Sequence, residues 1–319
     1  YYLWDRNHWN WGAVIPEDYQ SKYTDTTIGT DQQFTFNLAT WNTLVAGFTL
    51  ENLEKKAEGV SGGVPAAPYT PGMEYNTQAL FIQDSVDLWD NRINIIGAIR
   101  YDRFDLSTKR AETGTYNSFN EKSETFDHIT PKLGIGIKFL DELLRVRANI
   151  GEGFKSPSPD QLSAEYTSHT NVFYFGNPDL DPETSMTYDT GIDIFHDFFT
   201  LNVGFFHTDY EDKITQSSTT VGGRSAVTWE NLGDAEIAGF DVMLQWDISR
   251  TFDLSTKISL WSNATFNTTK EDKETGEDLQ WISDYEVKSG LDVTYADFTA
   301  QLSHALVGPQ MITNYDSYP

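Results

Sequence analysis

The sequence predicts an all-β fold, an antiparallel up-and-down sheet of the kind that crosses a membrane as a β-barrel. Three observations predict it. Apolar and polar residues alternate with period two along most of the chain, the mark of strands with one greasy face. Connections between strands are alternately short and long, the layout of a transmembrane barrel with tight periplasmic turns and long extracellular loops. Finally, no apolar run approaches the ~18 residues of a membrane helix. The mean hydropathy of −0.47 is compatible with such a barrel, because only alternate residues need be apolar.

In chain order, strands read at about 29–38, 42–53, 76–88 and 92–105. The third alternates poorly, because Asp84 falls among Leu80, Ile82 and Val86. Next, Ile129, Leu133, Ile135, Ile137 and Phe139 oppose Lys132, Gly134, Gly136 and Lys138. Leu144, Val146, Ala148 and Ile150 oppose Arg145, Arg147 and Asn149. Segments 184–195, 199–210 and 235–248 follow, and then 252–260, where Phe252, Leu254, Ile258 and Leu260 share a face. Tyr285, Val287, Leu291, Val293 and Tyr295 oppose Glu286, Lys288, Gly290, Asp292 and Thr294, and Phe298, Ala300, Leu302 and Leu306 line one side of the last strand. That makes about twelve strands, and 1–11 reads as the end of another. Most run about ten to fourteen residues, enough to cross a tilted bilayer path. Short turns fall near 40–41, 89–91, 140–142, 196–198, 249–251 and 296–297. Long loops run roughly 54–75, 107–126, 155–183, 211–234 and 266–283.

The physical premise is that lipid meets the apolar face. Backbone amides in hydrocarbon must all be paired, so only a closed sheet can span. Lys132, Lys138, Arg145, Arg147, Asp193, Asp241, Lys288 and Asp292 all fall on the polar side of their strands. Each Lys or Arg facing lipid at the midplane would cost about 2–4 kcal/mol. Trp41, Trp89 and Trp246 lie at or near the short turns, as an aromatic girdle requires.

Composition narrows the function. With 48 acidic against 22 basic side chains the net charge is −26, which excludes a nucleic-acid partner, since phosphate binding needs clustered Lys and Arg. Cysteine is absent, so there is no disulfide, thiolate metal site or cysteine nucleophile. Aromatic residues make up 14% of the chain, unlike a disordered segment.

Three stretches go beyond pattern. Gly151-Glu152-Gly153-Phe154-Lys155-Ser156-Pro157 leaves a strand for the longest loop; Asn177-Pro178-Asp179-Leu180-Asp181-Pro182-Glu183-Thr184 precedes Tyr188-Asp189-Thr190-Gly191; and Glu236-Ile237-Ala238-Gly239-Phe240-Asp241 opens a strand. Read locally, Gly153 permits a bend, Phe154 offers bulk to pack there, and Pro178 and Pro182 stiffen the return to the sheet. Asp179, Asp181 and Glu183 could also offer oxygens to Ca²⁺, although the spacing lacks the glycine and terminal bidentate glutamate of a calcium loop. In order and spacing the three stretches resemble the C-terminal barrel half of TonB-dependent outer-membrane receptors, with Asp189 and Asp241 where that family usually has Glu. The strands containing 79–84 and 97–102 also look like the family's.

The resemblance implies a 22-stranded barrel, of which this chain would hold 12–13 strands, without the N-terminal plug domain, the TonB box and the final strands. It implies an outer-membrane receptor of a Gram-negative bacterium that imports a scarce metal chelate, most often an iron–siderophore, or else cobalamin or haem. TonB, reached through the plug, would energise import; no resident cofactor or catalytic residue is implied. Selectivity in such receptors comes from outer loops, which here carry Tyr166, His169, Phe173, Tyr174 and Phe175, able to stack on a planar chelate, and Arg224, able to meet an anion. The acidic run Glu271, Asp272, Glu274, Glu277 and Asp278 is a solvated face or a Ca²⁺-mediated contact with lipopolysaccharide. Strong acidity favours a neutral or cationic ligand. The alternatives are a passive porin, a smaller complete barrel, or a barrel phospholipase using His304 or His207, each on the apolar face of its strand but without a Ser partner evident in sequence.

Overall fold

The computed structural model describes residues 20–66, 68, 71–109, 121–167, 172–231 and 233–312. The strand read at 1–11 and the chain end at 313–319 lie outside these residues. The wall begins with β1 (Gln20–Ala39) and β2 (Asn42–Ser61), on which the short β3 (Val64–Ala66) folds back. It continues through β4 (Met73–Leu88), β5 (Ile93–Thr108), β6 (Lys122–Phe139) and β7 (Leu144–Lys155). The longest loop carries a helical turn, α1 (Pro159–Ser163), and two short strands, β8 (Glu165–Thr167) and β9 (Phe173–Phe175). Next come β10 (Glu183–Phe195) and β11 (Phe199–Glu211), the loop hairpin β12 (Ile214–Val221) and β13 (Arg224–Asn231), and β14 (Ala235–Asp247). After α2 (Ile248–Phe252) the wall ends with β15 (Lys257–Asp272), β16 (Tyr285–Tyr295) and β17 (Phe298–Val307).

Twelve wall strands are hydrogen-bonded in the order β1-β2-β4-β5-β6-β7-β10-β11-β14-β15-β16-β17, with β1 and β17 as open edges. Every wall neighbour is antiparallel, so side chains opposite one another share a face. Leu133 stands opposite Ile150 and Gly97; Val203 lies between Ile192 and Val242; Leu291 lies between Leu260 and Leu302. This apolar face is open to the surroundings, with Leu80, Leu133 and Leu302 each more than half exposed.

The opposite face carries the charges. Arg145 faces both Lys138 and Asp193, and Asp292 faces Ser259 and Gln301. Asp193, only 1% exposed, accepts hydrogen bonds from Arg145 Nε (2.7 Å), Asn202 Nδ2 (2.7 Å) and, more loosely, Arg147 Nε (3.4 Å). A methyl group on Gly191 would sit 2.9 Å from the Arg147 guanidinium carbon, so this glycine leaves the room the arginine fills. Gly239 is similarly constrained, at the bulge where β14 shifts register against β15: an added Cβ would lie 2.2 Å from the Phe266 carbonyl oxygen.

Aromatic residues mark two borders of the apolar face. At the short-turn side stand Trp41, Trp89, Trp246, Tyr295 and Phe298. At the long-loop side stand Tyr101, Tyr188, Phe205, Phe240, Phe266 and Tyr285, with the Phe205 and Phe240 rings 5.3 Å apart. Beyond this second border the same face turns polar, running from Tyr101 to Arg103 and Asp105, from Ile129 to Asp127 and Thr125, and from Leu50 to Asn52 and Glu54. A band with aromatic girdles at both edges is what lipid demands of a strand wall.

Several elements depart from the sequence reading. Strands β1, β2, β4, β5, β6 and β15 run 16–20 residues rather than ten to fourteen, because beyond the aromatic border the outward face turns polar and alternation no longer reports the strand. The segment 252–260 is not wholly strand. Asp247 caps a helical turn by accepting the Arg250 N–H (2.9 Å), the chain reverses at left-handed Asp253, and β15 starts only at Lys257. The turn at 249–251 is therefore α2 itself. Asp84 does lie on the apolar face, where Asn42 Nδ2 donates to it (2.6 Å) and supplies the partner it needs.

Candidate ligand-binding cap

Near the long loops the phase of alternation inverts, and bulky side chains appear on the polar face. Leu106 pairs across to Tyr75, and Phe104 to Phe126. β7 is bonded to β6 only as far as Gly151, opposite Lys132; from there it pairs with β10 alone, Gly153 remaining opposite Ser185. The freed end leans over the wall. Phe154 stacks on His128 (centroids 4.8 Å apart) and on Phe104 (5.8 Å), and Phe104 stacks on Tyr75 (5.7 Å). Glu152 Oε1 holds His128 Nε2 at 2.5 Å, and the Ser156 and Tyr75 hydroxyls meet at 2.7 Å. Pro157 is fully buried just beyond. Sequence reading missed Tyr75, Phe104, Phe126 and His128. The signal available was the inversion itself, with apolar residues moving from odd to even positions after Tyr101.

Two loops then fold into one four-stranded sheet, ordered β12-β13-β9-β8. The β12–β13 hairpin turns at Gly222 and Gly223, both with positive φ. β9 runs parallel to β13, Phe173 against Ala226 and Tyr174 against Val227, and β8 pairs antiparallel with β9. Ahead of them, Ser158 caps α1: its hydroxyl accepts the Gln161 N–H and the Gln161 side chain accepts the Ser158 N–H, a reciprocal capping box. Leu162, Ala164, Leu180, Ile214 and Trp229 bury together with wall residue Leu106, and Met73, Tyr75, Phe126 and Tyr174 pack around them. At roughly 1.5–3 kcal/mol for each large side chain fully buried, this cluster holds the loop sheet against the wall.

The residues singled out for ligand contact are distributed as follows. Phe173, Tyr174 and Phe175 are β9 itself, Tyr166 lies in β8 opposite Tyr174, and Arg224 opens β13 beside the hairpin turn. His169 lies outside the described residues. Tyr174 packs on Trp229 (5.8 Å) within the buried cluster. Alternation along β9 sends Phe173 and Phe175, 6.4 Å apart and half-buried, to the opposite side of this sheet.

The Asn177–Glu183 stretch fastens the two loops. Asn177 Nδ2 donates to the Trp229 carbonyl (2.9 Å), Leu180 enters the buried cluster, and Glu183 Oε1 accepts the Ile214 N–H (3.0 Å) while Lys155 pairs with the same carboxylate. Pro178 and Pro182 frame this passage and donate no hydrogen bond. The Glu183 oxygens are thus committed to protein donors. Asp160, in the first turn of α1, is half-buried, and burial pushes its carboxyl above the ordinary value despite the nearby Lys55 charge.

Outside the wall, just past the Phe205–Phe240 pair, His207, Asp209 and Glu236 place their ligand atoms within 4.8 Å of one another. The Lys273 ammonium already serves this trio, 2.6 Å from Asp209 and 3.8 Å from Glu236. In the acidic run that follows, Asp272 Oδ1 accepts the Glu274 and Thr275 N–H groups. Ser289 does stand across from His304 on the apolar face, a neighbour the linear sequence hid, but its hydroxyl is engaged by Ser262 (2.7 Å).

The model of the family described as TonB dependent receptor-like, beta-barrel matches residues 1–319. The chain is 25% identical over 266 residues to the ferric enterobactin receptor PirA of Pseudomonas aeruginosa, covering 78% of this chain and 32% of that protein. It is 23% identical to the ferrienterobactin receptor of Escherichia coli, over 81% of this chain and 33% of the relative. The chain thus spans about a third of the length of these curated relatives. Among solved structures, the Serratia marcescens haemophore receptor HasR superposes with a TM-score of 0.71 at 16% identity, covering 92% of this chain and 53% of that one. The copper transporter OprC superposes with 0.70 at 15% identity, over 92% and 46%.

Proposed function

Given that this chain belongs to the TonB-dependent receptor-like β-barrel family, we propose that it is part of the wall and outer cap of an outer-membrane receptor that imports a scarce metal chelate. An iron–siderophore is the first candidate, and cobalamin or haem the next. The apolar band then faces lipid, the face bearing Asp193 faces the lumen, and the two-loop sheet stands at the outer mouth. The observation that carries this reading is the cap itself. Two separate loops build one sheet that buries its Tyr174–Trp229 side on the wall and turns Phe173 and Phe175 the other way. Half-buried rings on a rigid support suit stacking against a flat chelate. Two relatives that cover most of this chain are named ferric enterobactin receptors, which supports a siderophore.

We further propose a plug domain seated on the polar face and TonB acting through it, as membership of this family supports. The family and its named relatives are receptors and transporters, not enzymes. We also place the outer-leaflet headgroups, lipopolysaccharide among them, at the charged rim beyond the aromatic border, where Lys109 joins Glu74 (2.8 Å) and Glu54 (3.2 Å). The test uses the full-length receptor in cells starved of iron. Uptake of radioiron presented as a ferric catecholate, as a neutral ferric hydroxamate and as haem is compared with and without TonB. Uptake that persists without TonB would mark a porin and sink the proposal. The net charge of −26 favours the neutral chelate, and tighter binding of the catecholate would overturn that part alone.

A further inference from the structure

Asn231, at the end of β13, has every polar atom of its side chain engaged. Oδ1 accepts the Asp181 N–H (2.8 Å), while Nδ2 donates to the Asp181 carbonyl (2.8 Å) and to the Asp212 carbonyl (2.8 Å). Asp181 belongs to the loop between β7 and β10, and Asp212 to the loop between β11 and β14. One amide therefore reads the backbone of both loops at the point where each leaves the wall. Two further links run the same way, Asn177 to Trp229 and Glu183 to Ile214. Farther out the loops are joined again by the parallel β9–β13 pair. Clasps at the root and the tip turn two independent loops into one body.

We propose that Asn231 is a positioning residue for ligand capture: it locks the two loops into a single cap, so that Phe173 and Phe175 are presented at a fixed height over the mouth. Two loops free to sample independently would each lose conformational freedom on binding; a cap joined beforehand has already lost it, and binding is tighter for that reason. Asn is suited to the place because it offers two donors and an acceptor in one plane. Aspartate there would set its oxygens against two carbonyls, and alanine would make none of the three bonds. The proposal rests on the receptor reading above for its ligand, but not for the rigid cap.

Two measurements on the full-length receptor, in detergent, separate those parts. Cysteine is absent from this chain, so a Ser218→Cys, Asp179→Cys pair, with other cysteines of the receptor removed, takes two spin labels on exposed sites of the two loops. Pulsed dipolar spectroscopy should give one narrow distance in this background. Adding Asn231→Ala, or Asn177→Ala if the first variant fails to fold, should broaden it severalfold, while heat-modifiable gel migration stays that of a folded barrel. Binding of ferric enterobactin as the probe should weaken about tenfold. Asn231→Asp should behave like the alanine variant. A narrow distribution unchanged in both alanine variants overturns the clasp. A broadened distribution with unchanged binding overturns the positioning role. A receptor that ignores this probe in every background refutes that choice of ligand, and the spectroscopy still decides the clasp.

Discussion

Arg145 and Asp193 meet across the β7–β10 pair, Nε to Oδ2 at 2.7 Å, while their chain neighbours Leu144 and Ile194 meet on the other side of the same two strands. That single crossing fixes which side of the wall is wet. A carboxylate 1% exposed, with two guanidinium groups and an amide gathered on it, is tolerable only where its charge is compensated.

Removing it tests that balance. Asp193→Ala leaves two arginines facing one another without their anion. Loss of one member of a buried pair costs about 3–5 kcal/mol; Arg145 and Arg147 keep 40% and 32% of their side chains exposed, so we predict about 2 kcal/mol. The urea midpoint of the full-length receptor in detergent should fall accordingly. Asp193→Asn, which keeps the shape, should fall less.

The lipid face can be probed by charge. Leu133→Arg should cost about 2–4 kcal/mol of folding free energy and Thr125→Arg about 0–1 kcal/mol, although both point from the same side of β6. Folding into bilayers, followed by heat-modifiable migration, reads the difference. Equal costs would contradict the aromatic border drawn between them.

Gly239 should tolerate no side chain. An added Cβ would lie 2.2 Å from a backbone oxygen and 2.8 Å from the Phe206 ring, so Gly239→Ala has to move a strand and not merely a flexible tip. We predict a loss of roughly 2–3 kcal/mol, measured as a lowered unfolding midpoint, with Gly97→Ala, where nothing lies within 4 Å, nearly silent.

Asp160 gives the cap a pH dependence. Burial raises its folded-state pKa above the value of about 4 in an unfolded loop. The folded cap therefore holds the proton more tightly than the unfolded one. This stabilisation is complete below the unfolded pKa and is lost as pH rises through the folded one. Limited proteolysis of the 155–183 loop should accelerate as pH rises above the ordinary carboxylate range, and Asp160→Asn should flatten that change.

The wall was legible in sequence because lipid imposes strict alternation: Leu133, Ile135 and Ile137 against Lys132 and Lys138 needs no other information. Legibility stops at the aromatic border. There β1 and β2 run on with polar residues on both faces, and alternation carries no signal. The cap was half legible. Aromatic content marked β9, and the Asn177–Glu183 stretch stood out as a motif. The parallel pairing of β9 with β13, and the fastening of one loop by Asn231 of another, are contacts across about fifty residues. No local pattern encodes them. His304 and Ser289 were likewise hidden as opposite neighbours.

The order of the wall carries a parity rule. β1 descends from the long-loop rim and β17, twelfth in line, climbs back to it. An antiparallel ring admits no two neighbours pointing the same way, so any cylinder closed around this twelve-strand wall has an even number of strands in all.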